Sequence, residues 1–361
     1  RSPAEALFLA AADAEADARA ALLAAAPVDI RVEVEALLRA DASADAFFER
    51  PRGLTLVGET ATPEADLKPG ACVGPYRVAE VAGHGGMGTV YRAERADGFF
   101  QQTVALKVVR LGMASADVLA RAAAERQALA RLQHPGIARL LDAGEAPDGR
   151  PFLAMEFVDG EPLLDYAEAR ALSVDDRLGL FLQICDAVAA AHRALLVHRD
   201  LKPSNVLVTE AESGPRAVLL DFGIAKALDG DDGLTQTSLR AFTPAYAAPE
   251  QRAGGPITTA VDVWALGALL HELLTGARAT DSRDPTRTRP SAAALRQPGG
   301  APLARRLRGD LDAIVARALR DEPEARYRSV PALADDVRRH LDGFPVLARQ
   351  GTVQYFASRF V

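Results

Sequence analysis

Residues 198–205 read His-Arg-Asp-Leu-Lys-Pro-Ser-Asn, and residues 221–223 read Asp-Phe-Gly. The first string sets a carboxylate (Asp200), an ammonium (Lys202) and an amide (Asn205) on one short loop. The second adds a carboxylate, Asp221, sixteen residues after Asn205. This set suits moving a phosphoryl group from a nucleotide to a hydroxyl. One carboxylate orients the attacking hydroxyl, and the amide and the other carboxylate hold a divalent cation. The ammonium offsets charge on the group in transit.

Such residues must be held by elements far apart in the chain. Gly83-His84-Gly85-Gly86-Met87-Gly88 is a G-x-G-x-x-G string, which Rossmann folds use at the start of a helix. Here the β-prone Thr89-Val90-Tyr91 follows, so the string reads as a hairpin whose glycines let backbone N–H groups approach phosphate oxygens. Short strands are expected at Tyr76–Val81, Gly88–Glu94 and Thr103–Val109, with more near 138–142 and 151–157. A helix is expected over 116–133. Later the pattern turns helical, and Phe181, Ile184, Val188 and Ala191 share one face. The order is a small β-rich lobe followed by a larger helical one.

With these motifs in order, the chain resembles the bacterial serine/threonine protein kinases of eukaryotic (Hanks) type over about residues 74–340. The resemblance implies an α+β fold of two lobes, a β-rich N-lobe and a helical C-lobe, preceded here by an N-terminal helical extension. It implies ATP and Mg²⁺, with Mn²⁺ as an alternative metal, in a cleft between the lobes. Val104-Ala105-Leu106-Lys107 is similar to the family's third-strand motif, so Lys107 would face the α and β phosphates. Its rotamer-holding partner would be Glu125, in the stretch Ala120–Leu132. Gly83, Gly85, Gly88, Val90 and Ala105 would line the nucleotide. Met155-Glu156-Phe157-Val158 resembles the hinge, with Met155 as gatekeeper and backbone groups of Glu156 and Val158 on the adenine edge. Asp200 would be the base, Lys202 its serine/threonine-type companion, and Asn205 and Asp221 the metal ligands. His198 reads as a packed structural histidine.

The segment Thr243-Pro244-Ala245-Tyr246-Ala247-Ala248-Pro249-Glu250 resembles the close of an activation segment. The resemblance buries Glu250 against Arg326 and makes Asp262 an anchor of the catalytic loop. Phe242 stands where many members have glycine, and Ala82 where Leu or Ile is usual. Thr235, Thr237 and Ser238 are expected autophosphorylation sites whose phosphate would pair with Arg199. A nucleotide-binding pseudokinase scaffold is the alternative. Such proteins usually lose the lysine, the loop aspartate or the aspartate of Asp-Phe-Gly, and this chain has all three.

Composition bounds the rest. Forty-two basic against 49 acidic residues give a net charge of −7, which argues against nucleic acid as a partner. The expected partners are proteins bearing Ser or Thr acceptors, with a homodimer left open. Two distant cysteines, Cys72 and Cys185, form no disulfide framework, which fits a reducing, cytoplasmic setting. No run of eighteen uncharged apolar residues exists, since 178–197 and 261–274 are interrupted by Asp186, His192, His271 and Glu272. Residues 1–50 are Ala-, Leu- and acid-rich; Ile30, Val34, Leu37 and Leu38 draw one helical face after a candidate N-cap, Asp29. Residues 51–75 read as a linker, 76–340 as the kinase domain, and 341–361 as a tail with Arg349, Tyr355, Phe356 and Arg359. The first residue is not Met, so the chain reads as a piece of a longer one. By resemblance that longer protein continues after residue 361 into a segment attached to the inner membrane.

Overall fold

The computed structural model describes residues 26–27, 30–31, 34, 66–85, 88–98, 101–109, 132–212, 214–220, 245–279 and 289–349. Glu125, Asp221, Thr235, Thr237, Ser238 and Phe242 lie outside them, as does nearly all of the N-terminal extension. Within that extension, Val34 is buried and Ile30 partly so. The chain divides into two compact units, one built on a large sheet and one mainly helical.

The first unit carries an antiparallel six-stranded sheet. Its strands are β1 (Cys72–Val73), β2 (Tyr76–Gly85), β3 (Gly88–Arg95), β4 (Thr103–Val109), β5 (Leu140–Glu145) and β6 (Pro151–Glu156), in the order β1-β2-β3-β4-β6-β5. Alternation along each strand sends successive side chains to opposite faces. Tyr91, Ala93, Val104, Leu106, Val108 and Ala154 fall on one face and form its core with Tyr76, Val78 and Phe152. The rings of Tyr76 and Phe152 meet edge to face at 6.2 Å. The Tyr76 hydroxyl donates to Asp142 Oδ2 at 3.2 Å, and burial, then that carboxylate, push its pKa up to about 12.

The expected linker stops short of residue 75. Gly70 N donates to the Val78 carbonyl at 2.8 Å, Cys72 and Val73 pair with Arg77 and Tyr76, and Leu67 packs against the core. The sheet therefore starts before Tyr76. Two residues of pairing and a turn are too short to show a periodic pattern.

The second unit holds a three-stranded sheet of β7 (Glu161–Pro162), β8 (Val206–Ala211) and β9 (Gly214–Leu219). Its described helices are α1 (Leu163–Ala169), α2 (Val174–Arg193), α3 (Pro249–Arg252), α4 (Thr259–Thr275), α5 (Pro290–Leu295), α6 (Ala301–Leu307), α7 (Asp310–Ala318) and α8 (Val330–Leu341). Helix α2 starts in a capping box: Ser173 Oγ accepts from Asp176 N at 3.1 Å, and Asp176 Oδ2 accepts from Ser173 N at 3.3 Å. Its face of Phe181, Ile184, Val188 and Ala191 is buried, as the spacing predicts. Helix α4 is apolar nearly all round, and every residue from Val261 to Thr275 is buried. No helix among the described residues is long and apolar enough to cross a membrane.

The tail read as lying beyond the last helix folds back in its described part. Asp336 is fully buried, and its carboxylate accepts from Leu347 N (2.6 Å), Ala348 N (2.7 Å) and the Tyr327 hydroxyl (2.9 Å). Burial, then the charge of Asp336, raise the Tyr327 pKa. Arg349 Nη1 donates to Asp310 Oδ1 at 3.2 Å. Two of the three donors to Asp336 are main-chain N–H groups, and main-chain donors carry no residue-type signal.

Two stability predictions follow from the helical unit. Helix α2 ends in a Schellman turn: Leu196 N donates to the Ala191 carbonyl and Leu195 N to the His192 carbonyl, both at 3.0 Å. The left-handed position at φ 61° falls to Leu195, whose side chain is 93% exposed. A leucine there is strained and buries almost nothing. Leu195→Gly should raise stability by about 0.5–1 kcal/mol in denaturant titrations; a midpoint that stays put or falls contradicts this.

The second concerns His271, a buried residue of α4 whose Nδ1 lies 2.9 Å from the Ala277 carbonyl. Burial, the largest cause, holds its pKa below the ordinary value. The unfolded chain then binds the proton more readily, so stability should fall as pH drops below about 6.5. His271→Gln should flatten that slope between about pH 6.5 and 5; an unchanged slope would remove His271 as its source.

Candidate active site

The phosphate-loop string forms a β-hairpin. Strand β2 pairs with β3 through Gly83↔Val90, His84↔Thr89 and Gly85↔Gly88. Gly88 has a packing reason to lack a side chain, since a Cβ there would stand 2.1 Å from the Val108 carbonyl oxygen on β4. Cross-strand registers then place the rest. Val90 faces Lys107, Lys107 faces Leu153, Arg92 faces Ala105, and Ala105 faces Met155. Directly opposed residues share a face. Val90, Ala105, Lys107 and Met155 therefore stand together on the face opposite the core cluster. Lys107 and Met155 are buried, and Val90 and Ala105 partly so. After Met155 the chain continues through Glu156, whose N–H donates to the Arg139 carbonyl at 2.8 Å, and Phe157, whose ring lies 5.4 Å from the Arg92 guanidinium carbon. Glu125, the expected partner of Lys107, lies outside the described residues.

In the helical unit, the loop after the Schellman turn is organised by one buried carboxylate. Asp262 sits in the first turn of α4 and is fully buried. Its Oδ2 accepts from His198 N at 2.8 Å, and its Oδ1 from Arg199 N at 2.9 Å. The His192 Nε2 atom lies 2.8 Å from the same Oδ2. Three donors on one carboxylate fix where residues 198 and 199 run. Arg199 takes a left-handed φ of 66°, and its carbonyl accepts from Gln251 Nε2 at 2.8 Å. His198 is fully buried, in keeping with a structural role, and Asp200 N lies 3.4 Å from its Nδ1.

The turn that follows brings three expected residues together. Pro203–Asn205 is a single 3₁₀ turn with Asn205 N donating to the Lys202 carbonyl at 3.0 Å. Asn205 Nδ2 donates to the Asp200 carbonyl at 2.8 Å and lies 3.4 Å from Asp200 Oδ2. Lys202 Nζ lies 3.7 Å from Asp200 Oδ2. With its Nδ2 turned to Asp200, Asn205 keeps its Oδ1 as the acceptor end. Leu220 N donates to the Asn205 carbonyl at 3.0 Å, which ties the turn to the residue just before Asp221. Asp221 itself lies outside the described residues. Asp200, Lys202 and Asn205 thus form one cluster, and Lys107, Val90 and Ala105 a separate set on the sheet.

Downstream, Glu250 and Arg326 form the expected pair, with Arg326 buried and Glu250 only partly so. Their two parallel bonds measure 2.6 and 2.7 Å. Arg326 also donates to the carbonyls of Arg320, Ala260 and Asp321, so all five guanidinium N–H donors are used. The Trp264 ring lies 5.0 Å from its guanidinium carbon. The Tyr246 hydroxyl donates to the buried Glu272. No contact was assigned to His192, Gln251 or Glu272 from the sequence, for their partners lie 26 to 70 residues away and no motif names them.

The sequence model of the protein kinase domain matches residues 76–335. The serine/threonine-protein kinase pkn3 of Myxococcus xanthus is 34% identical over 312 residues, covering 79% of this chain and 54% of that protein. PknB of Mycobacterium tuberculosis is 34% identical over 278 residues, covering 75% of this chain and 43% of that protein. The chain thus spans about half the length of these curated relatives or less. The crystal structure of the Mycobacterium tuberculosis PknI kinase domain superposes with a TM-score of 0.57 at 29% identity, over 76% of this chain and 99% of that one. The chain belongs to the protein kinase family, within its bacterial serine/threonine branch of Hanks type, and it has the α+β kinase fold.

One prediction follows from the Glu250–Arg326 pair. Glu250→Ala would strand the guanidinium of Arg326, which is sealed from solvent. The expected loss is about 3–5 kcal/mol of stability by chemical denaturation. A loss under about 1 kcal/mol would show that the carbonyl contacts of Arg326 suffice.

Proposed function

We propose that this chain is an active protein kinase that transfers the γ-phosphoryl group of ATP to Ser and Thr hydroxyls of proteins in bacterial signalling. The observation that carries the reading is the cluster in which Asn205 is bonded to Asp200 with Lys202 beside them. An amide oxygen and a carboxylate are hard oxygen donors of the kind Mg²⁺ prefers, so Asn205 and Asp221 are the proposed metal ligands, with Mn²⁺ as the alternative ion. When bound, Mg²⁺-ATP supplies the phosphoryl group and neutralises part of its charge.

The residues of the chain do the positioning. Asp200, partly exposed, accepts the hydrogen bond of the incoming hydroxyl and aims its oxygen. Lys202 lies close enough to share that oxygen's field and to offset negative charge on the group in transit. On the sheet, Lys107 offers a fixed cation from a buried stem, and Glu125 is its proposed partner. Backbone N–H groups around Gly83, Gly85 and Gly88 are the proposed phosphate cradle. Val90 and Ala105 would cover the base, and backbone groups of Glu156 and Val158 would read its edge. The proposed setting is cytoplasmic, with the whole protein attached to the inner membrane by a segment beyond residue 361.

The decisive assay combines purified chain, labelled ATP, Mg²⁺ and a generic basic protein, with Asp200→Asn beside the wild type. The variant should incorporate label at least about 100-fold more slowly. Equal incorporation would remove Asp200 as the orienting base, and no incorporation by the wild type would favour the pseudokinase alternative. Peptide mapping after incubation with ATP should find phosphate on Thr235, Thr237 or Ser238, where it would pair with Arg199. A wholly unmodified 227–243 peptide contradicts that part.

A further inference from the structure

One carboxylate beside the phosphate-loop hairpin belongs to no motif. Asp66 lies ten residues before the first residue matched by the kinase family. Its Oδ1 accepts from Thr89 Oγ1 at 3.1 Å and from the Tyr91 hydroxyl at 3.3 Å. Its Oδ2 lies 3.7 Å from His84 Nε2. His84 and Thr89 are themselves cross-strand partners, with His84 Nδ1 standing 3.3 Å from Thr89 Oγ1. The next residue, Leu67, seats the carboxylate: its N–H donates to the Tyr91 hydroxyl at 3.0 Å and its side chain packs on the sheet core. A single side chain therefore holds both arms of the hairpin, β2 through His84 and β3 through Thr89 and Tyr91.

The physical need is plain. A loop with four glycines in six residues loses much backbone freedom on ordering around a ligand. A contact that orders its base beforehand removes part of that cost and tightens binding. Thr89 is buried and Tyr91 fully so, which makes the grip well defined although Asp66 itself is exposed.

We propose that Asp66 is a positioning residue for the nucleotide-phosphate loop, so that the segment before the kinase homology helps set the affinity for ATP. The proposal rests on the reading that Gly83–Gly88 holds phosphates. It gives residues upstream of Asp66 a route to the nucleotide that needs no contact with the catalytic loop.

The test uses the full 361-residue chain. Affinity for Mg²⁺-ATP is measured by calorimetry, and kcat and KM for ATP by phosphoryl transfer, for the wild type, Asp66→Ala, Asp66→Asn, Thr89→Val and the Asp66→Ala/Thr89→Val double variant. Asp66→Ala should raise both Kd and KM about five- to tenfold and leave kcat within about twofold. Asp66→Asn keeps an acceptor oxygen for Thr89 and Tyr91 and should recover most of the affinity. Thr89→Val should match Asp66→Ala, and the double variant should be no weaker than either single one. Wild-type ATP affinity in Asp66→Ala and Thr89→Val overturns the proposal. So does a loss confined to melting temperature, which would make Asp66 only a tether of the sheet. A wild-type chain that fails to bind Mg²⁺-ATP overturns the kinase reading itself. If Asp66→Ala does not fold, the Asn and Val variants decide alone.

Discussion

The Asp262 carboxylate is the contact on which the catalytic loop depends. A buried ionised carboxylate is tolerated only when donors replace the water it has lost. Here two of the donors are consecutive backbone N–H groups, of His198 and Arg199, and the third group is the imidazole of His192. The loop is thus fixed by its main chain, one residue before Asp200, the proposed base. The same grip explains how Arg199 keeps a backbone conformation that L-residues avoid. Its N–H is claimed by Asp262 and its carbonyl by Gln251, so the strain is held from both sides.

The second unit repeats this solution. Arg326, sealed from solvent, spends two N–H groups on Glu250 and three on main-chain carbonyls. Asp336 is filled by two amides and a phenol. Each of these two charges is satisfied by groups from more than one segment, at 5 to 76 residues for Arg326 and 9 to 12 for Asp336, and each therefore ties those segments together at one defined geometry. The sheet of the first unit works by other means. Its strands alternate, so one face becomes a core of Tyr91, Val104 and Leu106, while the other gathers Val90, Ala105 and Lys107. A one-residue slip of β4 would exchange the two sets.

Much of this was legible in the residues. The β-branched and aromatic run Thr89-Val90-Tyr91 argued for a hairpin where the glycine string alone was ambiguous, and the hairpin forms. The helical face Phe181, Ile184, Val188, Ala191 was visible from its spacing. The clustering of Asp200, Lys202 and Asn205 followed from their nearness in the chain. The Glu250–Arg326 pair and the anchoring by Asp262 came from family resemblance; no periodicity could supply them. What escaped has a common cause. His192, Asp66 and the fold-back near Leu347 act through hydrogen bonds across 11 to 70 residues, and those of the fold-back come from main-chain N–H groups. Every residue type but proline offers the same N–H, so the letters say nothing of which one will be used.

The fold-back at Asp336 also bears on where this polypeptide can be cut. The family match ends at residue 335, one position before that carboxylate. A fragment terminated anywhere between Leu341 and Val346 would keep Asp336 in its water-free position but discard two of the three groups that solvate it, the amides of Leu347 and Ala348. The carboxylate would then have to admit water in their place, which would loosen the seat of α8. The minimal piece that preserves this corner runs past the homology to Ala348, because the last solvating atoms belong to backbone that no family alignment marks.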